Sequence, residues 1–373
     1  MKAVTNGKFI LPDEHGNFFI QTGATLTFGE KILELSAETD AEEILDAQGN
    51  FVAPGFINVH IHGCVGADVM DGTPAALEKI CNFLPRTGVT GFLPTTMTMP
   101  LEEIHRALKN IRDAETSGAK ILGAHLEGPF ISAKYAGAQD KKNIRRADLS
   151  LFSEYLDVIK IITAAPEEFD MSFLDACRAE NILVSVGHSA SNYETALAAI
   201  ERGASHVTHL FNAQSPLHHR RPGIVGAALD SHATVELITD NIHVHPAAQR
   251  IVWKVKPREE IVLITDSLRA CGLGDCESEI GGQKVFVRNG VATLADGTIA
   301  ASVAPMNAVV KNFHANTRAN LAEVVELVTK NPARELGVYE KTGSLETGKA
   351  ADFVIFDADF EIHHAAVDGE ILF

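Results

Sequence analysis

The sequence predicts an α/β protein: a (β/α)8 TIM-like barrel carrying a small β-sandwich made from both chain ends. Three observations lead there. Short apolar runs recur through the middle of the chain, at about 57–60, 92–95, 122–126, 159–163, 182–187, 206–210, 235–239 and 261–265. Stretches with helical periodicity separate them, and eight strands alternating with helices define a parallel barrel. Strand-like runs bounded by Gly and Asp gather near both termini.

The elements follow in order. Lys8-Phe9-Ile10 and Thr25-Leu26-Thr27-Phe28 read as short strands of the first sheet region. The barrel opens with the run ending at His60. Ala75–Ile80 and Tyr193–Ile200 carry helical spacing. Residues 267–305 form a long insertion after the eighth strand. Within it Lys284–Val287 and Val291–Leu294, joined by Arg288-Asn289-Gly290, predict a hairpin. Asp352–Asp357, Phe360–His363 and Gly369–Phe373 return to the style of the beginning. Since termini often lie close together, residues 1–52 and 346–373 are expected to form one small sandwich, with 53–345 as the barrel. An open doubly wound sheet is disfavoured because no Gly-rich fingerprint opens the first helix.

Composition limits the function. Hydrophobic residues make up 46% of the 373 and charged residues 22%, as in an ordinary globular enzyme. Thirty-two basic against 49 acidic side chains leave a net charge of −17. So acidic a chain repels polyanions, and nucleic acid is not an expected partner. No apolar run approaches the ~20 residues of a membrane span, and the first residues lack the apolar core of a signal peptide. Five scattered cysteines argue against a disulfide framework and for a cytoplasmic location.

In such a barrel, chemistry belongs at the carboxyl ends of the strands. The first strand ends in Asn58-Val59-His60-Ile61-His62, where alternation puts both imidazoles on one face. Other ends carry His125-Leu126-Glu127-Gly128-Pro129, Gly187-His188-Ser189, Thr208-His209-Leu210-Phe211-Asn212 and Thr265-Asp266. One such histidine alone would be read as core, and one Asp as a helix cap. Six imidazole and carboxylate groups on one rim instead suit a divalent cation. His125, deeper on its strand, is expected to support ligands rather than ligate. Cys64 reads as a buried neutral thiol. Lys141, Lys142, Arg145 and Arg146 read as a solvated face, and His218 and His219 as surface residues.

These motifs, with Pro54–Gly63, His125–Phe130 and Gly343–Asp352, resemble the amidohydrolase superfamily and, within it, the N-acetylglucosamine-6-phosphate deacetylases. The resemblance runs from about residue 45 to the end. It implies a distorted barrel with a β-sandwich and a metal-dependent hydrolase of a phosphorylated N-acetyl amino sugar. It places Glu127, His188 and His209 on a primary metal and His60 and His62 on a second, with Glu127 bridging. The ion would be Zn2+ foremost, or Fe2+, Co2+ or Mn2+, with one or two per subunit. Asp266 would stand in the metal site as general base and then general acid. Arg220 and His243 match phosphate-binding positions. Asn212 and Ala213 match substrate contacts, as do Ala138, Gln139, Ile299, Ala300 and Ala301. Relatives are homodimers that complete this pocket partly from the partner chain.

Three departures accompany the resemblance. Ala138-Gln139-Asp140 stands where many relatives have a His that polarises the amide carbonyl. Ser267 follows Asp266 where Ala is usual. Ala301-Ser302-Val303-Ala304-Pro305-Met306 replaces a Gly-Ser-x-Leu-Thr-Met pattern. Two other readings compete: another amidohydrolase, and a scaffold without activity. Cyclic amidases of the superfamily use a carbamylated Lys at the fourth strand end, where this chain has Thr163-Ala164-Ala165-Pro166-Glu167. The scaffold reading predicts lost ligands, and none is lost. The galactosamine epimer of the substrate stays open.

Overall fold

A computed structural model describes all residues 1–373. Eight parallel strands form the barrel: β1 (Phe56–Ile61), β2 (Val89–Pro94), β3 (Ala124–Glu127), β4 (Ile159–Ala164), β5 (Leu183–Val186), β6 (His206–Val207), β7 (Thr234–Ile238) and β8 (Ile261–Ile264). Strands β3 to β8 make one continuous parallel sheet, and β1 pairs with β2. All eight fall on the runs the sequence marks. β6 is shorter than the expected 206–210, because the chain turns away at Thr208 and presents His209 from the bend.

Two seams close the barrel, and both run through rim residues. Thr95 bridges to His125 between β2 and β3. Between β8 and β1, the Asp266 N–H donates to the His60 carbonyl at 3.0 Å and the His62 N–H to that of Ser267 at 2.9 Å. Lower down, these two strands part and Leu327–Val328 wedges between them. Ile57 N–H donates to Val328 O and Leu263 N–H to Leu327 O. The sheet is therefore distorted where the helical return passes.

The two ends weave together. The strand Phe51–Pro54 pairs antiparallel with Phe353–Phe356 in a six-stranded sheet that also holds Lys8–Pro12, Phe18–Gln21, Ile362–Val367 and Glu370–Ile371. A four-stranded sheet of Lys2–Thr5, Thr25–Phe28, Ile32–Ser36 and Glu43–Asp46 packs over it. Val4, Phe9, Leu26, Phe28, Val52 and Phe353 fill the space between. Phe360 takes a left-handed turn (φ +64°) instead of opening a strand, so the last hairpin starts at Ile362. The 267–305 insertion holds the expected hairpin, Gln283–Arg288 with Val291–Leu294, and a third strand, Glu277–Ile280. All five cysteines are unpaired. No helix is long and apolar enough to cross a membrane.

Phe356 couples the end sheets to the barrel. It is fully buried, stacks on Phe51 (5.5 Å) and Phe360 (5.5 Å), and tilts against Phe56 of the first barrel strand (6.1 Å). Truncating such an aromatic costs about 3–5 kcal/mol. Phe356→Ala is therefore expected to lower the denaturant midpoint markedly; a midpoint unchanged from wild type would contradict this packing role.

Candidate metal and hydrolytic site

Glu127 is the hub. It ends β3, is 2% exposed, and stands where four imidazoles converge. Its Oε1 lies 3.0 Å from His188 Nε2, 3.1 Å from His209 Nε2 and 3.5 Å from His60 Nε2. Its Oε2 lies 3.3 Å from His62 Nε2. Asp266 Oδ1 faces the His60 and His62 pair from across the site, at 3.6 and 3.3 Å. Gly128 follows Glu127 at φ +77°, and a Cβ there would fall 2.0 Å from Thr98 Oγ1; only glycine lets the chain turn off the strand at this point.

The donor set fits a cation. His188 Nε2 and His209 Nε2 point at each other across 3.0 Å, beside one carboxylate oxygen. His60 Nε2 is buried with no hydrogen-bond partner. His60, His62 and Glu127 make one group whose ligand atoms lie close enough to share an ion, and Glu127, His188 and His209 make another. Mixed imidazole and carboxylate ligation suits Zn2+ and its neighbours.

Electrostatics keeps the carboxylates ionised. Burial would raise the Glu127 pKa, but the charges of His60 and His188 and hydrogen bonds from His188 and His209 hold it well below the ordinary carboxylate range. Burial likewise opposes ionisation of Asp266, yet His60 and His62 draw its pKa down. His125 is the opposite case. Burial, helped by His60, pushes its pKa down to about 3, and it bridges Val59 O (3.0 Å) and Thr163 Oγ1 (2.7 Å) as a neutral ring.

Strain gathers on this rim. His188, His209, Asp266, Ala213 and Ala301 all adopt left-handed backbone at φ +46°, +30°, +46°, +49° and +58°. Non-glycine residues do so at a cost and cluster at functional sites. The Ala301 value explains why glycine suits that position in the resembling pattern. Pro305 falls just ahead of the helix Met306–Thr317, where no helical hydrogen bond is lost.

A cavity of about 380 Å3 opens over these groups. His62, Glu127, His188, His209 and Asp266 line it, as do Ala138, Gln139, Asn212, Ala213, His243, Ile299 and Ala301. His60 lies behind it, fully buried. Ala300 is turned into the core. Arg220 is exposed and outside the cavity of its own chain, its guanidinium 2.7 Å from His219 Nε2. His243 is fixed by Asp240, whose Oδ2 lies 2.7 Å from His243 Nδ1. Gln139 lines the cavity, and its amide donates to Glu127 Oε2 (2.6 Å) and accepts from the Thr98 N–H (2.6 Å). A larger cleft of about 1010 Å3, at the foot of the barrel, holds none of these clusters.

Several lining residues escape the sequence reading. Met97, just past the end of β2, was reachable by the strand-end rule. Tyr135, Ile280 and Thr298 come from loops whose folding back nothing in their local sequence signals. The buried groups beneath the site, Glu236 and His206, were also missed, because Glu236 sits inside β7 and His206 at the start of β6, away from the carboxyl ends of the strands.

The chain belongs to the amidohydrolase family, whose pattern it matches over residues 51–372. It is a hydrolase of amide bonds. An N-acetylglucosamine-6-phosphate deacetylase of Bacillus subtilis (strain 168) is 41% identical over 353 residues, 91% of this chain and 89% of that one. An N-acetylgalactosamine-6-phosphate deacetylase of Escherichia coli O157:H7 is 35% identical over 337 residues, covering 88% and 89%. The crystal structure of N-acetylglucosamine-6-phosphate deacetylase from Pasteurella multocida superposes with a TM-score of 0.93 over 99% of both chains, at 32% identity.

One titration follows from His206. Burial would lower its pKa, but hydrogen bonds to Glu236 and Glu335 raise it to about 10. A group raised above its unfolded value of about 6.5 contributes stability fully below that pH and loses it as pH rises through the folded value. The stability gap between wild type and His206→Gln is therefore expected to be widest near pH 6 and to shrink towards about pH 10. Denaturation at a series of pH values measures it; a gap independent of pH would contradict the assignment.

Proposed function

We infer that the chain removes the acetyl group of N-acetyl-D-glucosamine 6-phosphate, giving glucosamine 6-phosphate and acetate. The convergence of four imidazoles on Glu127, with Asp266 opposite, is the observation that carries this reading. Glu127, His188 and His209 would hold a primary cation, Zn2+ foremost. His60 and His62, with Glu127 shared, would hold a second. A divalent cation bound there supplies Lewis acidity, bringing the pKa of water from about 15.7 towards about 7.

The protein's own groups manage the protons. Asp266, ionised and at the cavity wall, accepts a proton from the attacking water as the new C–O bond forms. It then donates that proton to the amide nitrogen as the C–N bond breaks, so that the amine leaves neutral. Gln139, hydrogen-bonded to Glu127 at the cavity wall, orients that carboxylate. Asn212, Ala213 and Ala301 line the space for the sugar. Asp240 keeps the proton of His243 on Nδ1, which leaves Nε2 able to accept from a protonated phosphate or, once protonated, to donate to the anion.

Arg220 cannot serve its own cavity from where it stands. We propose that it completes the phosphate site of a partner copy in a homodimer. Leu217, 56% exposed on the same loop, would lie in that interface. A cytoplasmic location suits the unpaired cysteines and a phosphorylated substrate. The sandwich of residues 1–52 and 346–373 and the barrel of 53–345 are taken as the two domains. The galactosamine epimer is the second reading, favoured by the 35% identity to the enzyme acting on it.

Activity with Zn2+-reloaded protein on both 6-phosphates and on unphosphorylated N-acetylglucosamine tests the reading. Preference for the glucosamine 6-phosphate is expected; inactivity on all three with metal bound would refute it. Asp266→Asn should keep metal and lose at least about 100-fold in kcat, since one positioned acid–base group contributes about 10²–10⁴. Near wild-type turnover would exclude the assigned role. Arg220→Ala should raise KM for the phosphorylated substrate far more than for the unphosphorylated one. Equal changes on both would remove Arg220 from the phosphate site.

A further inference from the structure

Beneath the cation site stands a column of buried charge. Glu236, on β7, is fully buried. Its Oε2 lies 2.9 Å from His60 Nδ1 and accepts from the His209 backbone N–H at 3.0 Å. Its Oε1 lies 3.2 Å from His206 Nε2. His206 Nδ1 in turn lies 3.1 Å from Glu335 Oε2, and Glu335 Oε1 accepts from Thr234 Oγ1 at 2.6 Å.

Hydrogen-bond logic assigns the protons. An ionised carboxylate only accepts. His206 lies between two carboxylates, so both its ring nitrogens donate and the ring is an imidazolium. His60 likewise donates from Nδ1, so Nε2 is the nitrogen through which the neutral ring would meet a cation. That Nε2 is the buried atom without a partner, 3.5 Å from Glu127 Oε1 and 3.6 Å from Asp266 Oδ1. From the foot of the barrel upward, the column runs negative (Glu335), positive (His206), negative (Glu236), and ends at the His60 ring.

Stability alone does not account for it. Barrel interiors are ordinarily filled by Val, Ile and Leu, and apolar residues of similar volume usually match or exceed a buried ion pair in stability. Here the interior layer holds Glu236, His206, Thr163, Ser185 and Thr208 instead. What the carboxylate does that an apolar residue could not is fix two neighbours at once. It sets the ring of His60, and it restrains the backbone of His209 in its left-handed conformation (φ +30°).

We propose that Glu236 is a positioning residue for the cation site, locking His60 in the tautomer that presents Nε2 and holding His209 on the rim, with the His206–Glu335 pair as its counter-charge. This rests on His60 and His209 being ligands, as inferred above. Partners of this kind typically change metal affinity by about 10–100-fold.

The test is cation affinity rather than turnover. Chelator-stripped protein is titrated with Zn2+ against a chromophoric competitor. Glu236→Gln keeps the volume and an acceptor oxygen but removes the charge; its Kd is expected to rise by about 10–100-fold. Ser185→Ala removes a hydrogen bond from the same layer without touching a ligand, and its Kd should stay within about threefold of wild type, well inside the range for a true partner. Glu236→Gln binding Zn2+ as tightly as wild type would overturn the proposal, and so would an equal loss in Ser185→Ala. Wild type binding no Zn2+ would instead overturn the reading of the ligands. The tautomer can be read on the wild-type protein whatever the variants do. In 15N-histidine spectra of the Zn2+-loaded protein, with His60 assigned by its absence in His60→Asn, a proton on Nδ1 alone is expected. A proton on Nε2 would refute the inference.

Discussion

Glu127 is a carboxylate almost sealed from water, and nearly everything at the barrel's rim is arranged around that fact. An ionised group in such a place is tolerated only when it is surrounded by donors or cations. Here four histidines come from β1 and from the turns after β5 and β6, and Gln139 comes from the loop after β3. No single local segment could supply such a shell. A closed barrel can, because its strand ends all face one point. The carboxylate thus needs the fold, and the fold gives the carboxylate its neighbours.

The same crowding explains where the backbone is strained. His188, His209 and Asp266 lie in the left-handed region, and each brings its side chain inward just past its strand. Neighbouring hydrogen bonds over-determine these conformations: Asp266 is pinned through its N–H to His60 O and through its carbonyl to the Ser302 N–H. Glu167 performs a similar service after β4, accepting from Ser189, Ala190 and Ser191 to hold the loop beyond His188. Part of the rigidity around the site therefore comes from backbone groups and from a side chain, Glu167, that does not line the cavity.

Much of this was legible in the sequence because the barrel repeats one rule. Five of the eight apolar runs end in the residues that matter, so His60, His62, Glu127, His188, His209 and Asp266 could be picked out by position, and a single cavity brings all but His60 to its wall. Gln139 was found, but its bond to Glu127 was not, since the sequence shows its place in the loop and not the direction of its amide. Glu236 and His206 were invisible for a different reason. Periodicity distinguishes one strand face from the other, but a barrel has polar residues facing inward too, and sequence alone does not tell a buried carboxylate from a solvated one. Arg220 stands apart because what it touches depends on a second chain.

The end sheets have a bearing on how the polypeptide comes to be folded. Strand Phe51–Pro54 waits for Phe353–Phe356, the two being separated by the whole barrel. During synthesis from the amino terminus, the first sandwich strands leave the ribosome about three hundred residues ahead of the partner that covers them. Until then Phe51–Pro54 offers an unpaired edge, the kind of surface that templates association between nascent chains. The sandwich cannot be completed before Phe353–Phe356 has been made, and without that strand the edge of Phe51–Pro54 stays open.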